Sequence, residues 1–345
     1  MRIDRIKLQD YPPIKTFDVT VSSNIVIIAG ANGSGKTRLK EALVYSFRNA
    51  NSPLASISLT ATREDEVDIW KGKSIQVTAS QDCRTLREYL ATRTKAQAYS
   101  GTVIQIDSNR AITPVRFETL NLATEDPDDQ AVDYSWYLSL FTDRWGQLVN
   151  KIYKKAANRD QKINKFVKAD PTKPGSEALA TYPDPFIPYQ DIFTQLLPGK
   201  TLELIDPKSP REFHYRTGNS DPMAFSTLSS GEQEVVKVAF DLVWKRITHS
   251  VIFIDEPELH LHPTLAFRLI ETLKGFGGGT NQLILFTHSA DLISTYYSTG
   301  NVFFIDSALA APLNQAHQLS ELVTKHSAVA RAAGANLGLF AVGKR

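Results

Sequence analysis

Asn24-Ile25-Val26-Ile27-Ile28-Ala29-Gly30-Ala31-Asn32-Gly33-Ser34-Gly35-Lys36-Thr37-Arg38-Leu39 is the stretch whose reading decides the fold. It opens on an apolar run of strand length, and the pattern Leu39, Ala42, Leu43, Tyr45, Ser46 that follows predicts an amphipathic helix over about 36–48. Between strand and helix stands G-x-x-x-x-G-K-[ST], in the strand-loop-helix setting that gives this spacing its meaning: a phosphate-binding loop. Gly30, Gly33 and Gly35 let backbone N–H groups, those of Asn32 and Ser34 among them, turn inward around a β-phosphate. Lys36 supplies a cation for the β- and γ-phosphates, the Thr37 hydroxyl can hold Mg²⁺, and Arg38 completes the candidate contacts at a helix end whose dipole favours anions.

Phe225-Ser226-Thr227-Leu228-Ser229-Ser230-Gly231-Glu232-Gln233 precedes a helix expected over Glu234–Arg246, and the apolar strand Val251-Ile252-Phe253-Ile254 then ends in Asp255-Glu256. A further apolar strand, Gln282–Phe286, ends in Thr287-His288-Ser289. Taken alone, the serines are an N-cap, the two acids a solvated turn, and the histidine a structural side chain. In this chain order they resemble, together, the signature sequence (Leu228, Ser229, Ser230, Gly231, Glu232), the Walker B pair and the switch histidine of ABC-type ATPases. The resemblance spans residues 24 to 291 and covers the head shared by transporters, SMC proteins, RecF and OLD-type bacterial ATPases.

The resemblance implies an α/β fold, a P-loop NTPase of ABC-ATPase-like head type with a β-rich N-terminal part and a helical insert acting as a lid. It also implies ATP and Mg²⁺ as cofactors. Asp255 reaches the metal through water, Glu256 orients the attacking water as general base, and His288 hydrogen-bonds the γ-phosphate. In that superfamily the signature caps ATP held by a second, head-to-tail copy, so two ATP molecules lie between two chains of a homodimer or higher homo-oligomer. Transporter subunits usually read Asp-Glu-Pro-Thr and end in Leu-Asp-Pro. Here Asp255-Glu256-Pro257-Glu258-Leu259-His260-Leu261-His262-Pro263 is similar to the OLD-like and antiphage ATPases such as those of Septu, Gabija or PARIS systems. His262 stands where the transporter loop has Asp, so that loop's acidic cross-dimer role is not carried over. The counterpart of the Q-loop glutamine is Gln105 or is absent: alternation in Thr102–Asp107 is equally consistent with a solvent-facing Gln105.

Composition is that of an ordinary globular chain of 345 residues with net charge +2, and no apolar run approaches the roughly 18 residues needed to span a bilayer. No membrane association and a cytoplasmic location are therefore expected. A single cysteine, Cys83, excludes an intrachain disulfide and a Cys-cluster metal site. Lys151, Lys154, Lys155, Arg159, Lys162, Lys165 and Lys168 form a basic run that reads as a solvated helix face in preference to a phosphate-binding surface, which leaves nucleic acid open as a partner.

The chain divides into an N-terminal part of the head (1–110), a mainly helical insert (111–199), a C-terminal part of the head carrying signature, Walker B and switch histidine (200–306), and a short tail (307–345) with a helix around Leu319–Ala333. Strands are expected near 54–60, 74–80, 102–107, 201–205 and 211–216, and a helix near 84–92. OLD-type nucleases continue into a Toprim domain at this point, whereas the tail carries few acids. The expected arrangement is an ATPase that controls a separate effector, a nuclease or toxin, in antiphage defence. The alternatives are a RecF-like repair or replication ATPase, a transporter energy subunit and an ATP-gated scaffold that does not hydrolyse.

Overall fold

The computed structural model describes residues 1–48, 51–91, 100–108, 137–139, 145–170, 172, 174–203, 213–296, 301–305 and 313–314. The expected tail helix lies outside them. The chain forms two compact units, the first from the described residues up to 108 with 137–139 and those from 246 onward, the second from 145 to 245.

The first unit begins with β1 (Arg2–Tyr11) and β2 (Ile14–Thr20), followed by β3 (Ile25–Ala29) and α1 (Lys36–Arg48). Next come β4 (Ser56–Thr60), α2 (Glu64–Trp70), β5 (Ser74–Val77), α3 (Ser80–Ala91), β6 (Val103–Ile106) and β7 (Tyr137–Ser139). An antiparallel sheet has the order β2-β1-β4-β5. The sequence places α3 four residues too late and β5 three residues too long. The reason is local: the Asp82 carboxylate accepts from the Thr78 and Ala79 N–H groups, ending the strand and starting the helix.

The second unit comprises α4 (Trp145–Ala169), α5 (Gly175–Thr181), α6 (Ile187–Leu196), the three-stranded antiparallel sheet of β8 (Lys200–Leu202), β9 (His214–Thr217) and β10 (Met223–Ala224), a 3₁₀ turn (Phe225–Thr227) and α7 (Ser230–Lys245). Its core is aromatic. Trp145 stacks on Phe225 with centroids 5.1 Å apart, Tyr153 stacks on Phe213 at 5.8 Å, and Tyr189 meets Phe240 edge-on at 5.0 Å. The described residues 200–203 and 213–245 thus fall in one unit with the described part of the insert, whereas the ranges expected from the sequence group them with 246–306.

The chain returns to the first unit with β11 (Val251–Asp255), α8 (Pro263–Gly275), β12 (Gln282–Thr287), α9 (Ala290–Tyr296), β13 (Asn301–Phe304) and β14 (Leu313–Asn314). These complete a seven-stranded sheet of order β14-β13-β3-β12-β11-β6-β7, in which β14 alone pairs antiparallel. Its central strands read as unbroken apolar runs because both faces are covered. Val26, Ile28, Phe253, Ile284, Phe286 and Phe303 share one core cluster with Leu39, Leu43 and Phe47 of α1 and with Ile6, Leu8, Ile57 and Leu59 of the antiparallel sheet. The alternate residues Ile25, Ile27, Ile252, Ile254, Leu283 and Leu285 are equally buried on the opposite face. Helix α1 is thereby fixed against two sheets, and the loop before it is held at the carboxyl edge of β3.

Candidate nucleotide site

Parallel register sets the geometry. Ala29 of β3 lies opposite Thr287 of β12, and Phe286 lies opposite Asp255 of β11, so three consecutive strands deliver the phosphate loop, His288 and the Asp255-Glu256 pair to one edge. This is the carboxyl edge at which open parallel sheets bind ligands. The Gly30 N–H donates to the Thr287 carbonyl and the Glu256 N–H to that of Phe286, extending the ladder into the loops.

The loop needs its glycines for separate reasons. Gly33 and Gly35 have φ of +80° and +108°. Gly30 has ordinary φ, but a Cβ there would lie 2.5 Å from the Ile305 carbonyl oxygen that follows β13. Lys36 Nζ donates to the Gly30 and Ala31 carbonyls at 2.8 and 3.0 Å. Burial lowers the pKa of Lys36, against the upward pull of Glu256, Asp255 and Glu258. Thr37 and Asn32 are exposed at the loop, and Arg38 lies over the Tyr11 ring at 5.6 Å.

Asp255 is 5% exposed and its Oδ2 accepts from Lys40 Nζ at 2.6 Å. Lys40, one turn beyond Lys36, also donates to Asp107 Oδ1 at 2.9 Å. Burial by itself would lower the Lys40 pKa, but the bonds to Asp255 and Asp107 outweigh it and raise the value. Gln105 sits on β6 opposite Phe253, and its amide donates to the Asp107 carboxylate. The glutamine proposed for the Q-loop position therefore belongs to a partly buried polar network that ends on Asp255.

Glu256 has φ of +45°, a left-handed conformation that costs a non-glycine residue about 1–3 kcal/mol and that clusters at functional positions. Its Oε1 lies 3.6 Å from His288 Nδ1, and Glu258 Oε1 lies 3.5 Å from the same nitrogen. Glu258 Oε1 also accepts from Thr287 Oγ1 at 2.5 Å and from the N–H groups of His288 and Ser289, both at 3.2 Å. His262 is the N-cap of α8, its Nδ1 accepting from the Thr264 N–H at 3.3 Å. Ser34 Oγ and His288 Nδ1 are buried without a hydrogen-bond partner among the described residues. The unsatisfied Ser34 hydroxyl, in the same loop as the Lys36 ammonium, fits a phosphate-bearing ligand. The Thr37 hydroxyl and Asp255 carboxylate supply the hard oxygens that suit Mg²⁺.

The segment Leu228–Glu232, expected from the sequence to be a signature, lies in the second unit. Its helix starts at Ser230, one turn earlier than the sequence indicates, because Ser229 and Glu232 form a capping box. Ser229 Oγ accepts from the Glu232 N–H, and Glu232 Oε2 accepts from the Ser229 N–H at 3.1 Å. Burial would raise the Glu232 pKa, but Lys200 Nζ at 2.8 Å and the Ser229 donors bring it below the usual carboxylate value. Leu228 is buried beneath this turn and Gly231 is buried within it.

A family model described as "AAA domain, putative AbiEii toxin, Type IV TA system" matches residues 25–294. The chain belongs to this AAA-domain family. Among the solved structures that resemble it are two Smc heads. One is an Smc head bound to the C-winged helix domain of ScpA, with 14% identity, TM-score 0.50 and coverage of 93% of this chain and 99% of that one. The other is an Smc head domain with an extended coiled coil bound to the C-terminal domain of ScpA, derived from Pyrococcus furiosus, with 14% identity, TM-score 0.50 and coverage of 94% and 98%. These likenesses establish the fold, a P-loop NTPase of ABC-ATPase-like head type. No curated protein matches the sequence. No helix among the described residues is long and apolar enough to cross a membrane.

Three residues of this AAA-domain site have no assigned role in the sequence reading: Lys40, Asp107 and Glu258. The available signal for Lys40 is a charge next to Leu39 on the buried stripe of a helix, where burial demands partners. Glu258 has a weaker signal, an acid standing where transporter subunits have Thr.

Proposed function

We propose that the protein binds and hydrolyses ATP with Mg²⁺, pairs with a second copy around two ATP molecules, and passes that state to a separate effector. The observation that supports this best is the convergence of Lys36, Asp255, Glu256 and His288 at one sheet edge beside the left-handed turn at Glu256. Thr37 and Asp255 would hold Mg²⁺, which would supply charge neutralisation at the phosphates. Lys36 exchanges its loop carbonyls for phosphate oxygens. Glu256 accepts a proton from the attacking water, and His288 is oriented by Glu258 to donate toward the γ-phosphate. Ser229, Ser230 and Gly231 present the N–H groups of α7 to the γ-phosphate held by the other copy.

Antiphage defence is the setting we propose, since the family description names a putative AbiEii toxin and a type IV toxin–antitoxin system. The effector in this reading is a nuclease or toxin carried by another chain, and the location is cytoplasmic. Lys162, Lys165 and Lys168 are exposed on α4 and favour a second reading, a RecF-like ATPase that acts on nucleic acid.

ATP turnover and nucleotide binding by Lys36→Ala and Glu256→Gln test the site. Lys36→Ala should lose ATP binding, whereas Glu256→Gln should bind normally and hydrolyse roughly 10² to 10⁴-fold more slowly. Equal loss of nucleotide affinity in both variants would refute the assigned roles.

A further inference from the structure

Lys40 puts an ammonium where the nucleotide reading puts the metal ligand. Its side chain is 6% exposed, and a buried cation is retained only with strong partners. Two carboxylates supply them: Asp255 at 2.6 Å and Asp107 at 2.9 Å. Asp107 is in turn held by the Gln105 amide, and both residues come from the end of β6, the strand that pairs with β11. Asp255 is thus gripped through Oδ2 from the side of α1, which leaves Oδ1 as the oxygen to turn toward a metal's water. The formal charge of the trio is −1, and each partner has an opposite effect on an incoming dication. Lys40 opposes it, and Asp107 offsets Lys40.

We propose that Lys40 is a built-in counter-cation that holds Asp255 in place and, balanced by Asp107, sets the Mg²⁺ concentration at which the site takes up MgATP. Lys40 and Asp107 are positioning residues that act through Asp255. The inference rests on the ATP-binding reading and adds to it a tuned metal requirement. Removing Lys40 leaves two neighbouring carboxylates, a stronger cation site. Removing the charge of Asp107 leaves Lys40 to neutralise Asp255, a weaker one. Even at the dielectric of bulk water, about 80, one unit charge about 6 Å from a dication is enough to shift its affinity about tenfold, and the lower effective dielectric of a protein raises that factor.

The experiment is a Mg²⁺ titration of the binding of a fluorescent ATP analogue to the full chain, comparing wild type with Lys40→Met, Asp107→Asn and the double variant. All four should bind at saturating Mg²⁺. The Mg²⁺ midpoint should fall about tenfold or more in Lys40→Met and rise by a similar factor in Asp107→Asn. In the double variant the two changes oppose each other, and the midpoint should return to within about threefold of wild type. The double variant keeps the −1 formal charge of the wild-type trio, so it and Asp107→Asn decide the matter if Lys40→Met does not fold. A packing defect would not shift two substitutions in opposite directions. Midpoints that coincide within twofold, or that move the same way in both single variants, overturn the proposal alone. Absence of binding by wild type at saturating Mg²⁺ overturns the nucleotide reading and the proposal with it.

Discussion

Lys237 lies in α7 with 7% of its surface exposed, and its ammonium sits over the Trp145 ring at 5.5 Å. Burial lowers its pKa from 10.5 to about 8. A difference of about 2.5 units, at about 1.36 kcal/mol per unit, means that the charged form costs the folded state roughly 3 kcal/mol. The sign follows from proton binding. Between pH 8 and 10.5 the unfolded chain holds the proton that the folded chain has released. Stability therefore rises with pH across that window, while the full penalty applies below it. Lys237→Met keeps most of the apolar stem and removes the titration. It should be more stable than wild type at pH 7 by about 2 to 3 kcal/mol, after allowing for the loss of a cation–π contact worth about 0.5 to 1 kcal/mol. The assay is urea unfolding followed by far-ultraviolet circular dichroism at pH 7, 8, 9 and 10. Other groups that titrate in this range are common to both proteins and cancel in the difference. The gap should shrink steadily above pH 8. A gap that stays constant with pH, or a variant less stable than wild type at pH 7, would refute the reasoning.

Glu258→Ala leaves Thr287 Oγ1 and the N–H groups of His288 and Ser289 without their common acceptor. It should lower stability by about 2–4 kcal/mol and slow ATP turnover more than it weakens ATP binding. Thermal unfolding and steady-state kinetics check this, and loss of binding with an unchanged maximal rate would contradict it. Ser230→Arg should retain single-site ATP binding yet fail in ATP-dependent dimer formation. Mixing it with Lys36→Ala should recover ATPase activity if sites are shared between copies, and no recovery in a mixture shown by analytical ultracentrifugation to form heterodimers would count against sharing. For the basic run, Lys162, Lys165 and Lys168 to Glu is the informative change, because Lys154 is buried and Lys151 and Lys155 lie over Trp244 at 5.7 and 5.1 Å. Nucleic-acid binding should change little. A steep dependence of log K on log salt, about −0.9 per duplex phosphate contact, that the three substitutions remove would promote the repair-type reading.

The phosphate loop was legible because strand, glycines, Lys36-Thr37 and helix are contiguous, so the sequence alone carries their geometry. The positions of Asp255, Glu256 and His288 followed from strand-ending runs in an order that a parallel sheet aligns. What the sequence did not disclose depends on neighbours far along the chain. Lys40 finds Asp255 more than two hundred positions away, and Glu258 finds Thr287 only because β11 and β12 are adjacent. Capping explains the misplaced helix starts at Ser80 and Ser230. In both, an acidic side chain within the first turn bonds backward to N–H groups, which draws the helix start earlier than hydrophobic periodicity suggests.

The acceptor role of Glu258 constrains the evolutionary routes open to this site. One carboxylate oxygen serves a hydroxyl and two amides of the turn after β12. A lineage that exchanged Glu258 for threonine would have to satisfy those donors by rebuilding the Thr287–Ser289 turn. Position 258 and the Thr287–Ser289 turn should therefore change together among relatives, and a chain that lost Glu258 with the turn unaltered would leave the His288 amide without its acceptor.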